Sequence, residues 1–140
     1  MKEASTLVVS CVDFRLRDEI ADLLTNKLGL KDDYDEVALP GASLAFVESS
    51  KEHWGETITD IIGLLKDLHK IKRVIFVDHL GCGAYKVLKG NDILKTVEIE
   101  KASHLETFQT ARKKLKQHFP DLDVHTFLMD LDGNVENIHE

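Results

Sequence analysis

The segment Arg73-Val74-Ile75-Phe76-Val77-Asp78-His79-Leu80-Gly81-Cys82-Gly83 decides the fold. Residues 73–77 are the most strand-like stretch of the chain: short, β-branched and apolar, running straight into a glycine-rich turn. An apolar run of this length without alternation reads as a strand buried on both faces. Strands of that kind belong to parallel sheets, and parallel neighbours need crossover connections long enough to hold helices.

The flanking sequence supplies both. Upstream, Thr6-Leu7-Val8-Val9-Ser10 reads as a second buried strand. After Cys11-Val12-Asp13-Phe14-Arg15 the period changes: Leu16, Ile20, Leu23, Leu24 and Leu28 recur at helical spacing, and Gly29 stands where a helix-ending glycine belongs. Residues 34–39 form a shorter strand candidate halted by Pro40-Gly41, and residues 43–53 carry a weaker helical pattern. From Glu56 onward, Ile58, Ile61, Ile62, Leu64, Leu65 and Leu68 define an amphipathic helix. Downstream, residues 92–118 read as helical in one or two pieces. Residues 124–129 read as a strand, and Asp132-Gly133 as the turn of a terminal hairpin. The expected architecture is α/β: a mostly parallel central sheet of four to five strands, flanked by helices, in a single domain spanning 1–140. In such sheets sites form at the carboxyl ends of strands near a switch point, where Cys11 and His79 both fall.

Composition narrows the function. Of 140 residues, 43% are hydrophobic and 31% charged, ordinary for a soluble globular chain. A formal charge of −7 argues against a nucleic-acid binder. No apolar run reaches bilayer-spanning length, and Leu7-Val8-Val9 is too short for a secretory signal, so a cytoplasmic protein is expected. In a reducing compartment the two cysteines are better read as metal ligands or nucleophiles than as a disulfide.

Nearly all the chemistry lies in two motifs. Cys11-Val12-Asp13-Phe14-Arg15 is a C-x-D-x-R pattern, and His79-Leu80-Gly81-Cys82 is H-x-x-C. The second spacing lets an imidazole and a thiolate point at one centre. With Cys11 added, two thiolates and one imidazole favour zinc over magnesium or calcium and leave a fourth position open. Asp13, two residues from a candidate ligand, could bind the metal itself and close the site. The planar fork of Arg15 can hold that carboxylate away from the ion.

In these two motifs, at these two strand ends, the chain resembles the β-carbonic anhydrases. The resemblance runs from the first strand to Gly81-Cys82-Gly83-Ala84. It implies zinc held by Cys11, His79 and Cys82, and an Asp13–Arg15 dyad that orients a zinc-bound hydroxide for attack on carbon dioxide. It also implies a homodimer or higher homo-oligomer with a small-molecule substrate. The arginine-asparagine-alanine-glycine stretch usual after the family's second strand is replaced by Leu39-Pro40-Gly41-Ala42, and a helical arm ahead of the first strand is not expected. Dimerisation is therefore expected through the sheet. Two other readings share the fold: a hydrolase of carbonyl sulfide or carbon disulfide, and a zinc-binding regulatory domain without turnover.

The remaining groups have plainer readings. Asp13–Arg15 can also be a structural ion pair, and Gly81 and Gly83 are expected to serve turn geometry. His53, His69, His104, His118, His125 and His139 are expected at the surface or partly buried, with no partner spacing that singles one out as a proton shuttle. The C-x3-R spacing is too short for a phosphatase loop, and no phosphate-cradling or dinucleotide fingerprint occurs.

Overall fold

The computed structural model describes residues 2–139. Its strands are β1 (Thr6–Cys11), β2 (Tyr34–Leu39), β3 (Arg73–His79), β4 (Asp123–Met129) and β5 (Val135–Ile138). They form one sheet in the order β2-β1-β3-β4-β5. The first four run parallel, and β5 returns antiparallel on β4 through the Asp132-Gly133 turn. The helices are α1 (Arg17–Asp22), which continues as a wider turn through Leu23–Lys27, α2 (Ser43–Val47), α3 (Glu52–Leu68), α4 (Gly83–Lys89) and α5 (Val97–His118). The expected mostly parallel sheet is present with five strands.

Three local details differ from the sequence reading. The weak helical stretch 43–53 divides into α2 and the first turn of α3, which starts at Glu52 rather than Glu56. The turn after β3 ends sooner than expected, because Gly83 opens α4. A Cβ on Gly83 would meet nothing within 4 Å, whereas Gly81 takes φ +73°. Only Gly81 is required by the backbone here.

The unbroken apolar character of the strands follows from burial on both faces. Val8, Ile75, Val77, Phe127 and Met129 face Leu16, Ile20, Leu23 and Leu24 of the α1 segment. Leu7, Val9, Val74 and Phe76 face the opposite way, onto Phe46 of α2, Ile58 and Ile62 of α3, and Phe108, Ala111 and Leu115 of α5. The connection leaving β1 thus crosses one face of the sheet and the connection leaving β3 crosses the other. β1 and β3 are neighbours, so the crevice between their carboxyl ends is the switch point.

α2 and α3 meet at Gly55, which lets the α2 backbone come close. A Cβ at Gly55 would lie 2.6 Å from the Phe46 carbonyl oxygen and 2.7 Å from Lys114 Nζ. Lys114 Nζ donates to that same carbonyl at 2.6 Å, tying α5 to α2. Alanine is favoured over glycine inside a helix by roughly 1 kcal/mol, but overpacking a closed contact costs about 1–3 kcal/mol. A backbone oxygen cannot swing aside, so the second effect wins. Gly55→Ala is predicted to lower stability by about 1 kcal/mol or more in urea titrations; a gain in stability would show that α2 and α3 do not meet this way.

Candidate metal centre

Cys11 is the last residue of β1, and Cys82 lies three residues beyond the end of β3. Both are buried, and their Sγ atoms are 3.9 Å apart. A disulfide would need about 2 Å, so the thiols are free. His79 closes β3 with its ring fully enclosed. Its Nδ1–H donates to the Leu80 carbonyl at 2.7 Å, which leaves the lone pair on Nε2. Nε2 is buried and makes no hydrogen bond. The ligand atoms of Cys11, His79 and Cys82 all lie within 4.8 Å of one another and could hold a metal ion.

The donor set fits zinc. Zn–S bonds of about 2.3 Å in a tetrahedron put two sulfurs about 3.8 Å apart, close to the 3.9 Å observed. An orphaned imidazole nitrogen facing two sulfurs would be costly without a cation to accept its lone pair.

The electrostatics of the three groups are coupled. The Cys82 thiol donates to Cys11 and, with help from His79 and against the cost of burial, lowers the Cys11 pKa to about 4. The same contact, together with burial, pushes the Cys82 thiol upward. Burial works against a charged His79, but the Cys11 sulfur beside it prevails and raises its pKa. Without a cation, one sulfur is a thiolate and the other keeps its proton.

Asp13 and Arg15 flank this cluster. Asp13 Oδ1 accepts from the Arg15 backbone N–H at 2.9 Å and from Nε at 3.0 Å, and Oδ2 accepts from Nη2 at 2.7 Å. This is the planar fork foreseen from the C-x-D-x-R spacing. Nη2 also donates to the Gly81 carbonyl at 3.1 Å, joining the two motifs. The Arg15 hydrogen bonds hold the Asp13 pKa down at about 2. Asp13 Oδ2 stands 3.5 Å from His79 Nε2, at the edge of the cluster.

The Leu39-Pro40-Gly41-Ala42 stretch wraps the same centre. Ala42 and Leu44 pack in one buried group with Cys11, Cys82 and Tyr85. Gly41 takes φ +86° and Ala42 φ +53°, and the strain at Ala42 sits beside the thiol pair.

A buried polar chain behind the turn was not anticipated. Asp78 Oδ1 accepts from the Ser43 N–H at 3.0 Å. Asp78 Oδ2 accepts from Ser43 Oγ at 2.8 Å, from the Tyr85 hydroxyl at 2.7 Å and from His104 Nδ1 at 2.8 Å. His104 Nε2 donates to Glu100 Oε2 at 2.9 Å. Glu100 in turn accepts from the Gly81 N–H at 2.8 Å and the Cys82 N–H at 3.4 Å. His104 is wholly enclosed, not a surface residue. Burial disfavours its charge, but the two carboxylates outweigh burial and raise its pKa to about 9. Two signals were present in the sequence: a charged Asp78 closing an apolar strand, and Glu100 and His104 spaced four apart on one helix face. Of the other histidines, His69 is half-buried and pairs with Asp35 at 2.6 Å.

The coupled thiols generate a direct prediction. Metal-free protein at pH 7 should show one thiolate per chain by absorbance near 240 nm, absent in Cys11→Ser and lost as pH falls through about 4. A thiol depressed in the folded state stabilises it fully only above the unfolded thiol's pKa of about 8.5. That contribution is lost as pH falls toward about 4. Absence of thiolate absorbance at pH 7 in folded, metal-free protein would contradict the coupling.

Comparison with known proteins agrees with this geometry. Residues 1–139 match the family described as "Putative carbonic anhydrase". An uncharacterized protein of Rickettsia bellii is 56% identical over 140 residues, covering all of this chain and 85% of the relative. One from Rickettsia conorii is 53% identical, covering all of this chain and 75% of the relative. Among solved structures, a carbonic anhydrase from Streptococcus mutans superposes with TM-score 0.65 at 15% identity, over 99% of this chain and 84% of that one. A tetrameric β-carbonic anhydrase from Sordaria macrospora gives TM-score 0.61 at 16% identity, over 100% and 83% of the two chains. At these identities the structural likeness establishes the fold, and the match along the sequence establishes the family: this chain belongs to the carbonic anhydrase family, with a β-carbonic anhydrase fold.

Proposed function

We propose that this chain is a zinc-dependent carbonic anhydrase that interconverts carbon dioxide and bicarbonate, with Cys11, His79 and Cys82 as the zinc ligands. The observation that carries the reading is the clamped carboxylate. Asp13 lies 3.5 Å from the unpartnered His79 nitrogen, yet both its oxygens are held by Arg15. A purely structural ion pair has no need to stand at the mouth of a buried Cys-His-Cys cluster.

Zinc in such a donor set acidifies water and so supplies hydroxide near neutral pH. The chain's own groups do the rest. His79 and the two sulfurs would hold the ion and offset its charge. Asp13, with a pKa of about 2, stays ionised and can only accept a hydrogen bond. It therefore favours a nucleophile that carries a proton to donate, and its acceptance aims the nucleophile's free lone pair toward the substrate carbon. Arg15 keeps the carboxylate from turning inward to occupy the metal's open position, and through the Gly81 carbonyl it fixes the distance between the two motifs.

The reading extends to assembly and compartment. Phe14, between the members of the dyad, is 85% exposed, and Val12 is 47% exposed. A second copy of the chain covering this apolar rim accounts for both, so a homodimer or higher homo-oligomer is proposed, and light scattering should report one. No helix among the described residues is long and apolar enough to cross a membrane. A cytoplasmic protein with no nucleic-acid or membrane partner is proposed.

Two sets of variants test the function. Cys82→Ser should lose most of the roughly one zinc per chain carried by wild type, with a lower Tm, because metal binding is coupled to folding. Metal-free wild type with reduced cysteines after zinc-supplemented expression would refute the centre. Arg15→Ala should keep zinc but slow hydration by roughly 10–100-fold in stopped-flow assays, with partial recovery at higher pH as hydroxide displaces the freed carboxylate. Asp13→Ala should be slowed similarly without that recovery. Wild-type rates in both would reduce the dyad to a structural ion pair.

A further inference from the structure

We propose that Glu100 and His104 of α5 are positioning residues for the metal centre, and that they set the His79–Cys82 turn in its ligating shape before the ion arrives. The inference rests on the metal-binding part of the reading above and not on turnover.

The ligand turn is gripped at both ends by a single hydrogen-bonded chain. At its start, Asp78, the residue before His79, is bound by Ser43, Tyr85 and His104. At its end, the Gly81 and Cys82 amides donate to Glu100 at 2.8 and 3.4 Å. His104 closes the loop by donating to Asp78 at 2.8 Å and to Glu100 at 2.9 Å. Both its partners are carboxylates, which accept only, so both ring nitrogens carry protons and neither is free for a metal.

The turn needs such a grip. Gly81 takes φ +73°, and its amide and that of Cys82 point away from the strand ladder. Left unmet in a buried site, each would cost on the order of 1–3 kcal/mol. Glu100 meets them from a helix otherwise anchored in the core by Phe108, Ala111 and Leu115. The carboxylate therefore has a fixed position, and it transmits that position to the Cys82 backbone and so to its sulfur. Arg15 contributes from the other side through the Gly81 carbonyl. Gly81 is held at both its N–H and its C=O, between one ligand and the other.

The consequence is preorganisation. A turn that is ordered without metal does not need to be ordered by it, so affinity gains what ordering would have cost. Groups that orient ligands typically contribute about 10–100-fold to metal affinity.

The test measures zinc affinity by chelator competition, and ligand geometry by the thiolate charge-transfer and d–d bands of the cobalt-substituted protein. Wild type, Glu100→Ala, Glu100→Gln and His104→Gln are compared with Ile71→Val, which trims the buried core just before the amino end of β3, the opposite end of that strand from His79. Glu100→Ala and His104→Gln should bind zinc about 10–100-fold more weakly and show altered cobalt bands, while Ile71→Val keeps wild-type affinity and bands. Glu100→Gln keeps the shape but only one acceptor oxygen, so it should fall between, and it decides the matter if Glu100→Ala does not fold. Wild-type affinity and cobalt spectra in Glu100→Gln and His104→Gln would overturn the proposal. So would a loss of affinity that Ile71→Val shares. If wild type binds zinc but does not hydrate carbon dioxide, the carbonic anhydrase reading fails, and the positioning role still stands or falls on these affinities.

Discussion

The pairing of β1 with β3 is the constraint on which everything else depends. Ser10 lies opposite Val77 in parallel register, so Cys11 and His79 leave the sheet at neighbouring points on one edge. The connections from the two strands cover opposite faces, and nothing from the sheet itself fills the crevice between their ends. Two short loops are enough to bring the second sulfur to within 3.9 Å of the first. The apolar strands make this arrangement rigid, because a slip by one residue would turn Val8, Val9, Ile75 and Phe76 to the wrong faces.

Around that edge, charged groups are bound to one another, one-to-one on the open side and as one imidazole between two carboxylates on the enclosed side. Asp13 is bound to Arg15 on the open side, and Glu100 and Asp78 are bound to His104 on the enclosed side. The two sides differ in what they reach. The open pair presents a carboxylate to the cluster and holds it 3.5 Å from His79. The enclosed group meets the His79–Cys82 turn at its Gly81 and Cys82 amides, not at the Cys-His-Cys side chains. One side is suited to act on whatever occupies the centre, and the other to keep the centre's shape.

The fold and the Cys-His-Cys cluster were legible because their signals are local. Strand 73–77 and the helix of Ile58, Ile61, Ile62 and Leu65 declare themselves by period, and every cysteine of the chain falls in one of two motifs at a strand end. The dyad was legible for the same reason, since its members are two residues apart. The Asp78–His104–Glu100 chain was not. His104 lies 26 residues from Asp78, and its helix carries little amphipathic contrast, so its four-residue spacing from Glu100 fitted a solvated pair as well as a buried one. The boundary between α2 and α3 was equally hidden, because it depends on the tertiary approach of Phe46 to Gly55. Local period reports which face is apolar, and it is silent about which polar groups meet inside.

The most direct test of the account is oxygen-18 exchange between carbon dioxide and water at chemical equilibrium, followed by mass spectrometry on zinc-loaded wild-type protein. Exchange should run far above the uncatalysed rate, rise in proportion to bound zinc, and return to background when a chelator removes the metal. Exchange at the uncatalysed rate with zinc fully bound would contradict the assignment and leave a carbonic anhydrase fold serving a different substrate or none.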